Sequence, residues 1–262
     1  MARHMENRGR HARDLVAALE AHPQVPGGPG DRFAGYGVLG VAFPSGDLLA
    51  LRRFPASSVG TGYTSVWHRD RTGRWTFYQD IAPEFGCTRY FGREVDTVVV
   101  APIRVLWTES NAFSVLVNGG RTIEWRVELG ATIASRAFSV LAASAPHAVW
   151  ARAAALPGVN RVVGATLGAG LVRMKGTTPD GYAFLAHPSG LWVVTASRAV
   201  LGGRDSGESQ RLVSPLSLGE FVIPRRGLFV VARAYLQKRQ GAHSPPVRLR
   251  DEGARGSSLN SV

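Results

Sequence analysis

The 262-residue chain carries a formal charge of +12, with 45% hydrophobic and 19% charged residues, a composition within the globular range. Its single cysteine, Cys87, excludes an internal disulfide and a multi-cysteine zinc centre. No early stretch has the apolar run of a secretory signal and none is long enough to span a bilayer, so a cytoplasmic, reduced compartment is expected.

The positive charge invites a nucleic-acid partner. Lysine, however, is confined to Lys175 and Lys238, and the arginines are scattered singly or in pairs such as Arg52-Arg53 and Arg225-Arg226. No helix-turn-helix, zinc-finger or RNA-binding strand motif accompanies them. Specific nucleic-acid recognition is therefore not expected.

Residues 1–32 read as a peripheral arm, its first ten residues poorly ordered. Arg13 to Ala21 predicts a short helix with Leu15, Val16 and Leu19 on one side. Pro26-Gly27-Gly28-Pro29-Gly30 makes a linker. Residues 33–134 then read as strand after strand. Phe33 to Phe43 is followed by the turn Pro44-Ser45-Gly46-Asp47 and by Leu48 to Phe54.

The next stretch organises the chain. Tyr63 to Arg69 and Arg74 to Asp80, rich in aromatic and β-branched residues, flank Asp70-Arg71-Thr72-Gly73, a hairpin signal with glycine at the left-handed position. The turn predicts the pairs His68–Thr76, Trp67–Phe77 and Val66–Tyr78. Alternation then puts Tyr63, Trp67, Trp75 and Phe77 on one face, and Thr64, His68, Thr76, Tyr78 and Asp80 on the other. The hairpin stretch continues through Cys87 and Tyr90 to Gly92.

Val95 to Val100, Ile103 to Thr108, Ala112 to Val117 and Thr122 to Leu129 are further strands, with Asn118-Gly119-Gly120 a tight turn. Trp107 and Trp125 on them read as core. Residues 135–168 change period: Phe138, Leu141, Ala142, Ala145, Val149 and Ala153 recur at helical spacing, interrupted near Pro146 and broken at Leu156-Pro157-Gly158. Residues 169–237 return to strands: Leu171 to Thr177, Tyr182 to His187, a Pro188-Ser189-Gly190 turn, Leu191 to Leu201, a Gly202 to Gly207 loop, and Leu218 to Leu236 around Pro224-Arg225-Arg226-Gly227. Residues 238–262 have the composition of a disordered tail.

The expected fold is mainly β and antiparallel, a barrel or sandwich. The helical segment is either a lid on one barrel or a connector between two lobes.

Three constellations carry potential chemistry. His68, Tyr78 and Asp80 form a candidate acid–base set on the polar face of the hairpin, opposite the solvated-face reading that antiparallel sheets favour. Cys87 with His68 is a weaker nucleophile–base pair, since a lone cysteine usually packs as a small apolar residue. Lys175, in Leu171 to Gly176, would form a Schiff base if desolvated. The seven histidines have no ligand spacing within one element, so no metal is expected. Gly202-Gly203 matches no phosphate loop, and no strand–helix alternation exists to hold a nucleotide, so no cofactor is expected.

The layout of hairpin, helical middle, Gly181-Tyr182-Ala183-Phe184, Leu191-Trp192-Val193-Val194 and Gly203-Arg204-Asp205-Ser206-Gly207 resembles the lipocalin-like (calycin) proteins of the carotenoid 1,2-hydratase, or hydroxyneurosporene synthase, group. Trp67 to Asp70 with Gly73 to Tyr78 is also similar to a stretch in actinobacterial proteins of this size, from which no activity follows. The calycin resemblance implies a barrel holding a small apolar or amphipathic molecule, with cofactor-free hydratase or cyclase activity as its extension. The candidate contacts are Tyr63, Trp67, Trp75, Phe77 and Tyr90, with His68, Tyr78 and Asp80 as the catalytic set. The alternatives are a decarboxylase-like Schiff-base enzyme using Lys175 and a non-catalytic basic interaction protein.

Overall fold

The computed structural model describes residues 11–239. The first ten residues and the tail from residue 240 lie outside the described residues, along with the expectations placed on them.

Helix α1 (Ala12–Ala21) leads through the glycine-proline linker into β1 (Asp31–Ala42), β2 (Leu48–Ser57), β3 (Tyr63–Arg69) and β4 (Trp75–Gln79). A short helix α2 (Thr88–Phe91) precedes β5 (Thr97–Val100), β6 (Ile103–Glu109), β7 (Ala112–Val117) and β8 (Ile123–Gly130). Helices α3 (Ile133–Ser144), α4 (His147–Ala153) and α5 (Pro157–Thr166) follow. Then come β9 (Lys175–Thr177), β10 (Tyr182–Leu201), β11 (Arg204–Glu208), β12 (Leu216–Leu218), β13 (Phe221–Ile223) and β14 (Leu228–Lys238). Strand β14 thus reaches Lys238, one residue into the expected tail.

Twelve strands form one sheet in the order β5-β4-β3-β2-β1-β14-β10-β8-β7-β6, with β9 and β11 both paired to β10. The sheet is curled into a half-barrel, and it is mixed rather than purely antiparallel. Strands β4 and β5 are parallel, Thr76 beside Thr97 through Gln79 beside Val100. The reason is the connection: residues 83–94 form short helical turns instead of a hairpin, and parallel neighbours need such a crossover. The first and last strands also pair, Phe33 opposite Ala234, so the β-rich regions before and after the helices build one sheet.

The central hairpin has the expected register: Trp67 opposite Phe77, His68 opposite Thr76, Val66 opposite Tyr78. Gly73 N–H donates to the Asp70 carbonyl at 2.9 Å and Asp70 N–H to the Arg74 carbonyl at 3.0 Å. Gly73 sits at φ +93°, a conformation that L side chains rarely adopt.

Pro188-Ser189-Gly190 does not turn the chain. β10 runs through it as a 20-residue strand, with a shift in pairing to β14 between Pro188 and Gly190. A bulge absorbs the proline, which cannot donate to the ladder, and leaves the strand continuous. Gly202 and Gly203, both at positive φ, instead make the tight turn into β11. Pro146 separates α3 from α4, and Pro157 starts α5, where its missing N–H costs nothing.

Both faces of the sheet are covered over β1 to β4, β14 and the first half of β10, whereas β6 to β8 keep a wet outer face with Arg104, Glu124 and Arg126 exposed. One face packs Val38, Leu49, Leu51, Val66 and Tyr78 against Phe113, Val115, Trp125 and Val127, with α1 adding Ala12 and Val16. The two wings of the curl therefore share this core, and side chains occupy the space between them. The other face carries Phe33, Tyr63, Trp67, Phe77, Tyr90, Phe91, Phe184 and Leu218, continuing into a cluster with α3 to α5 built on Trp150, Val172, Met174, Leu191 and Leu228.

Candidate functional site

On β2 the side chains alternate strictly. Leu49 and Leu51 enter the core between the wings, whereas Leu48 and Ala50 enter the aromatic core. Arg52 and Phe54 extend the aromatic side and line a cavity of about 160 Å³. Its walls include Tyr63 and Trp67 from β3, Tyr90 and Phe91 from α2, Phe138 from α3 and Phe221 from β13. Its floor on β1 is Gly35 and Gly37. A Cβ at Gly37 would fall 2.0 Å from the Leu51 carbonyl oxygen, so β1 and β2 approach this closely only with glycine there. No carboxylate or imidazole lines the cavity.

Arg52 is the charged group buried in this wall, 8% exposed. Its Nη1 donates to the backbone carbonyls of Val38 at 2.6 Å and Leu51 at 2.7 Å. The guanidinium carbon stands 4.6 Å from the Trp67 ring centroid and 5.1 Å from that of Phe221, within cation–π range of both. Nη2 has no hydrogen-bond partner. Burial pulls the group down to about 10, so it remains a cation at neutral pH. Directly opposite on β3 stands Ser65, fully buried; its hydroxyl and Trp67 Nε1 turn to the Cys87 sulfur, whose thiol both lower.

The Cys87 thiol is 3.5 Å from the Tyr63 hydroxyl. Burial pushes the thiol up, against the lowering pull of Tyr63 and the Arg52 charge. Burial also raises Tyr63, and Cys87 adds to it. A neutral, buried thiol is a poor nucleophile. His68 lies across the sheet from it, since Cys87 belongs to the aromatic core and His68 alternates to the opposite side of β3. The structure does not bring the two together.

Of the expected contacts, Tyr63, Trp67 and Tyr90 line the cavity. Phe77 stacks behind Trp67, its centroid 4.4 Å away and the rings 10° apart, and Trp75 packs edge-on to Phe77. Tyr90 donates its hydroxyl to Asp31 at 2.8 Å; burial, then Asp31, raises it.

The candidate acid–base set sits elsewhere. His68 is buried with Nε2 2.7 Å from Asp47 Oδ1. Tyr78 packs in the core between the wings, and its burial raises it. Asp80 is exposed and accepts the Thr64 N–H at 2.6 Å. The solvated-face reading does not hold for His68 and Tyr78 either, because the curl buries both faces. Lys175 is exposed on β9, beside a second groove that it shares with Arg173 and Glu220. The desolvation that a Schiff-base lysine requires is missing there.

Sequence reasoning passed over Arg52. The available signal was an arginine at an inward position of a strand, between Leu51 and Phe54. Among the described residues, no three His, Cys, Asp or Glu side chains are grouped to hold a metal, and no helix is long and apolar enough to cross a membrane.

No known protein family matches the chain, and no curated protein matches it significantly. One similar solved structure is an acetoacetate decarboxylase from Legionella pneumophila, at 11% identity and a TM-score of 0.33, covering 86% of this chain and 93% of that one. So distant a likeness transfers neither chemistry nor site.

Proposed function

We propose that the protein binds a small, largely apolar molecule in the cavity between the aromatic face of the sheet and helices α3 and α5. The supporting observation is the cavity: about 160 Å³, walled by aromatic and aliphatic side chains from β1, β2, β3, β10, β14 and the helices. Apolar cavities of about 150 Å³ stay dry and accept a benzene-sized guest. The occupant is therefore one ring or a chain of comparable volume.

Binding is favoured over hydration or cyclisation. Both reactions need an acid beside the substrate, and the cavity wall offers only hydroxyls, a thiol and guanidinium groups. Toluene titrated into the protein should quench tryptophan emission, since Trp67 lines the cavity. Ala232→Phe, which fills it, should abolish the quench while the protein stays folded by circular dichroism. Quenching unchanged by the filling substitution would end this reading.

A further inference from the structure

Arg52 has features that a purely apolar guest leaves unexplained. It is a cation buried in an aromatic wall, and no carboxylate pairs with it among the described residues. Buried charges are normally paired, because desolvating an ion alone is costly. Here the cost is only partly met, by two backbone carbonyls on Nη1 and two aromatic faces. Those same contacts fix the plane of the guanidinium, while Nη2 keeps its hydrogens unused. Ser65 Oγ and Trp67 Nε1 instead turn to the Cys87 sulfur, whose thiol both lower, so the unused donor in this wall is Arg52 Nη2 itself. Native structures leave few buried polar groups unsatisfied, and a buried cation with free hydrogens calls for an acceptor.

We infer that the cavity is a receptor for a small organic monocarboxylate, its carboxylate taken by Arg52 Nη2 and its apolar body lying among Phe54, Tyr63, Phe138 and Phe221. The inference rests on the cavity-binding reading above and names the chemical class of the guest. A carboxylate supplies the acceptor oxygens that Arg52 Nη2 lacks, and arginine recognises it through directed N–H donors. A phosphate dianion fits less well, since one guanidinium would have to balance two charges. Arg173 also reaches the cavity, but Glu220 neutralises it at 2.8 Å.

The test uses pairs of equal size, benzoate with benzyl alcohol and hexanoate with hexan-1-ol, titrated into the full chain at pH 7 by calorimetry. In at least one pair the carboxylate should bind ten-fold or more tightly than the alcohol. Arg52→Met should remove that preference and leave alcohol affinity within two-fold, whereas Arg173→Gln should preserve it. Parity between carboxylate and alcohol in the wild type overturns the inference while leaving the apolar cavity reading intact, as does a preference that survives Arg52→Met. Binding of none of the four overturns both. The wild-type comparison needs no variant, so it decides the matter even where Arg52→Met fails to fold.

Discussion

Trp67 and Phe77 stack face to face across β3 and β4, 4.4 Å apart and 10° from parallel, and the other side of Trp67 carries the Arg52 guanidinium at 4.6 Å. One indole thus joins the aromatic core to the single charge buried in the cavity wall. Trp67→Ala removes a side chain that is 1% exposed and should cost about 3–5 kcal/mol in urea unfolding. Trp67→Phe keeps part of the stack and should lose less. Equal losses for the two variants would mean that the indole's extra area and its cover over Arg52 contribute nothing.

Helix α1 is fastened to the sheet by one carboxylate. Glu20 accepts from the Tyr36 hydroxyl at 2.9 Å and from Arg53 Nε and Nη2 at 3.0 and 2.9 Å. Burial, reinforced by Glu20, raises the Tyr36 phenol. Hydrogen bonds to charged groups contribute about 1.5–3 kcal/mol, reduced here because the pair is roughly a quarter exposed. Glu20→Gln and Arg53→Met should each cost about 1 kcal/mol. Their sum should exceed the double variant's loss by at least about 0.5 kcal/mol. Strict additivity in chemical denaturation would show that the three groups do not act as a unit.

The hairpin could be read from the sequence because its determinants are local. Asp70 and Gly73 set the turn, and a period of two then assigns Trp67 and Phe77 to one face and His68 and Tyr78 to the other. What lies against each face is not local. His68 finds Asp47 in a turn 21 residues earlier, and Tyr78 meets β6 to β8 only because the sheet curls. Pro188-Ser189-Gly190 has the composition of a turn. It becomes a bulge because β14 pairs on both sides of it, a partner supplied more than forty residues later. Arg52 looks like any surface arginine until the alternation of β2 is set against a covered face.

His68 and Asp47 are expected to hold structure and take no part in binding. The His68–Asp47 hydrogen bond closes the β1–β2 turn over β3, with Ser45 Oγ donating to the other Asp47 oxygen at 2.7 Å. His68→Leu leaves Asp47 without its buried partner and should cost about 1–3 kcal/mol. Affinity for toluene should stay within two-fold of wild type, since the pair faces away from the cavity. A change of ten-fold or more, or a pH dependence lost with the imidazole, would return His68 to the site.

The helices over the cavity should loosen in acid through His187. This side chain is 8% exposed, stacked on Trp150 at 5.2 Å and 7°, with Nε2 2.9 Å from the Ala142 carbonyl of α3. His147 of α4 stands 6.0 Å away and itself packs on Tyr235, and Arg233 is opposite on β14. Burial lowers His187 from the ordinary histidine range, the Ala142 carbonyl opposes this, and His147 and Arg233 add to the lowering. The unfolded chain therefore binds this proton more readily than the folded one. The stability from a neutral His187 is complete above the unfolded value of about 6.5 and is lost as pH falls from there towards the folded value. Melting temperature should drop between pH 7.5 and 5.5. His187→Phe, which keeps the stack on Trp150 but cannot titrate, should flatten that drop, with Trp150 emission reporting whether the helices separate from β10. An identical pH slope in the two proteins would show that other groups set the acid limit.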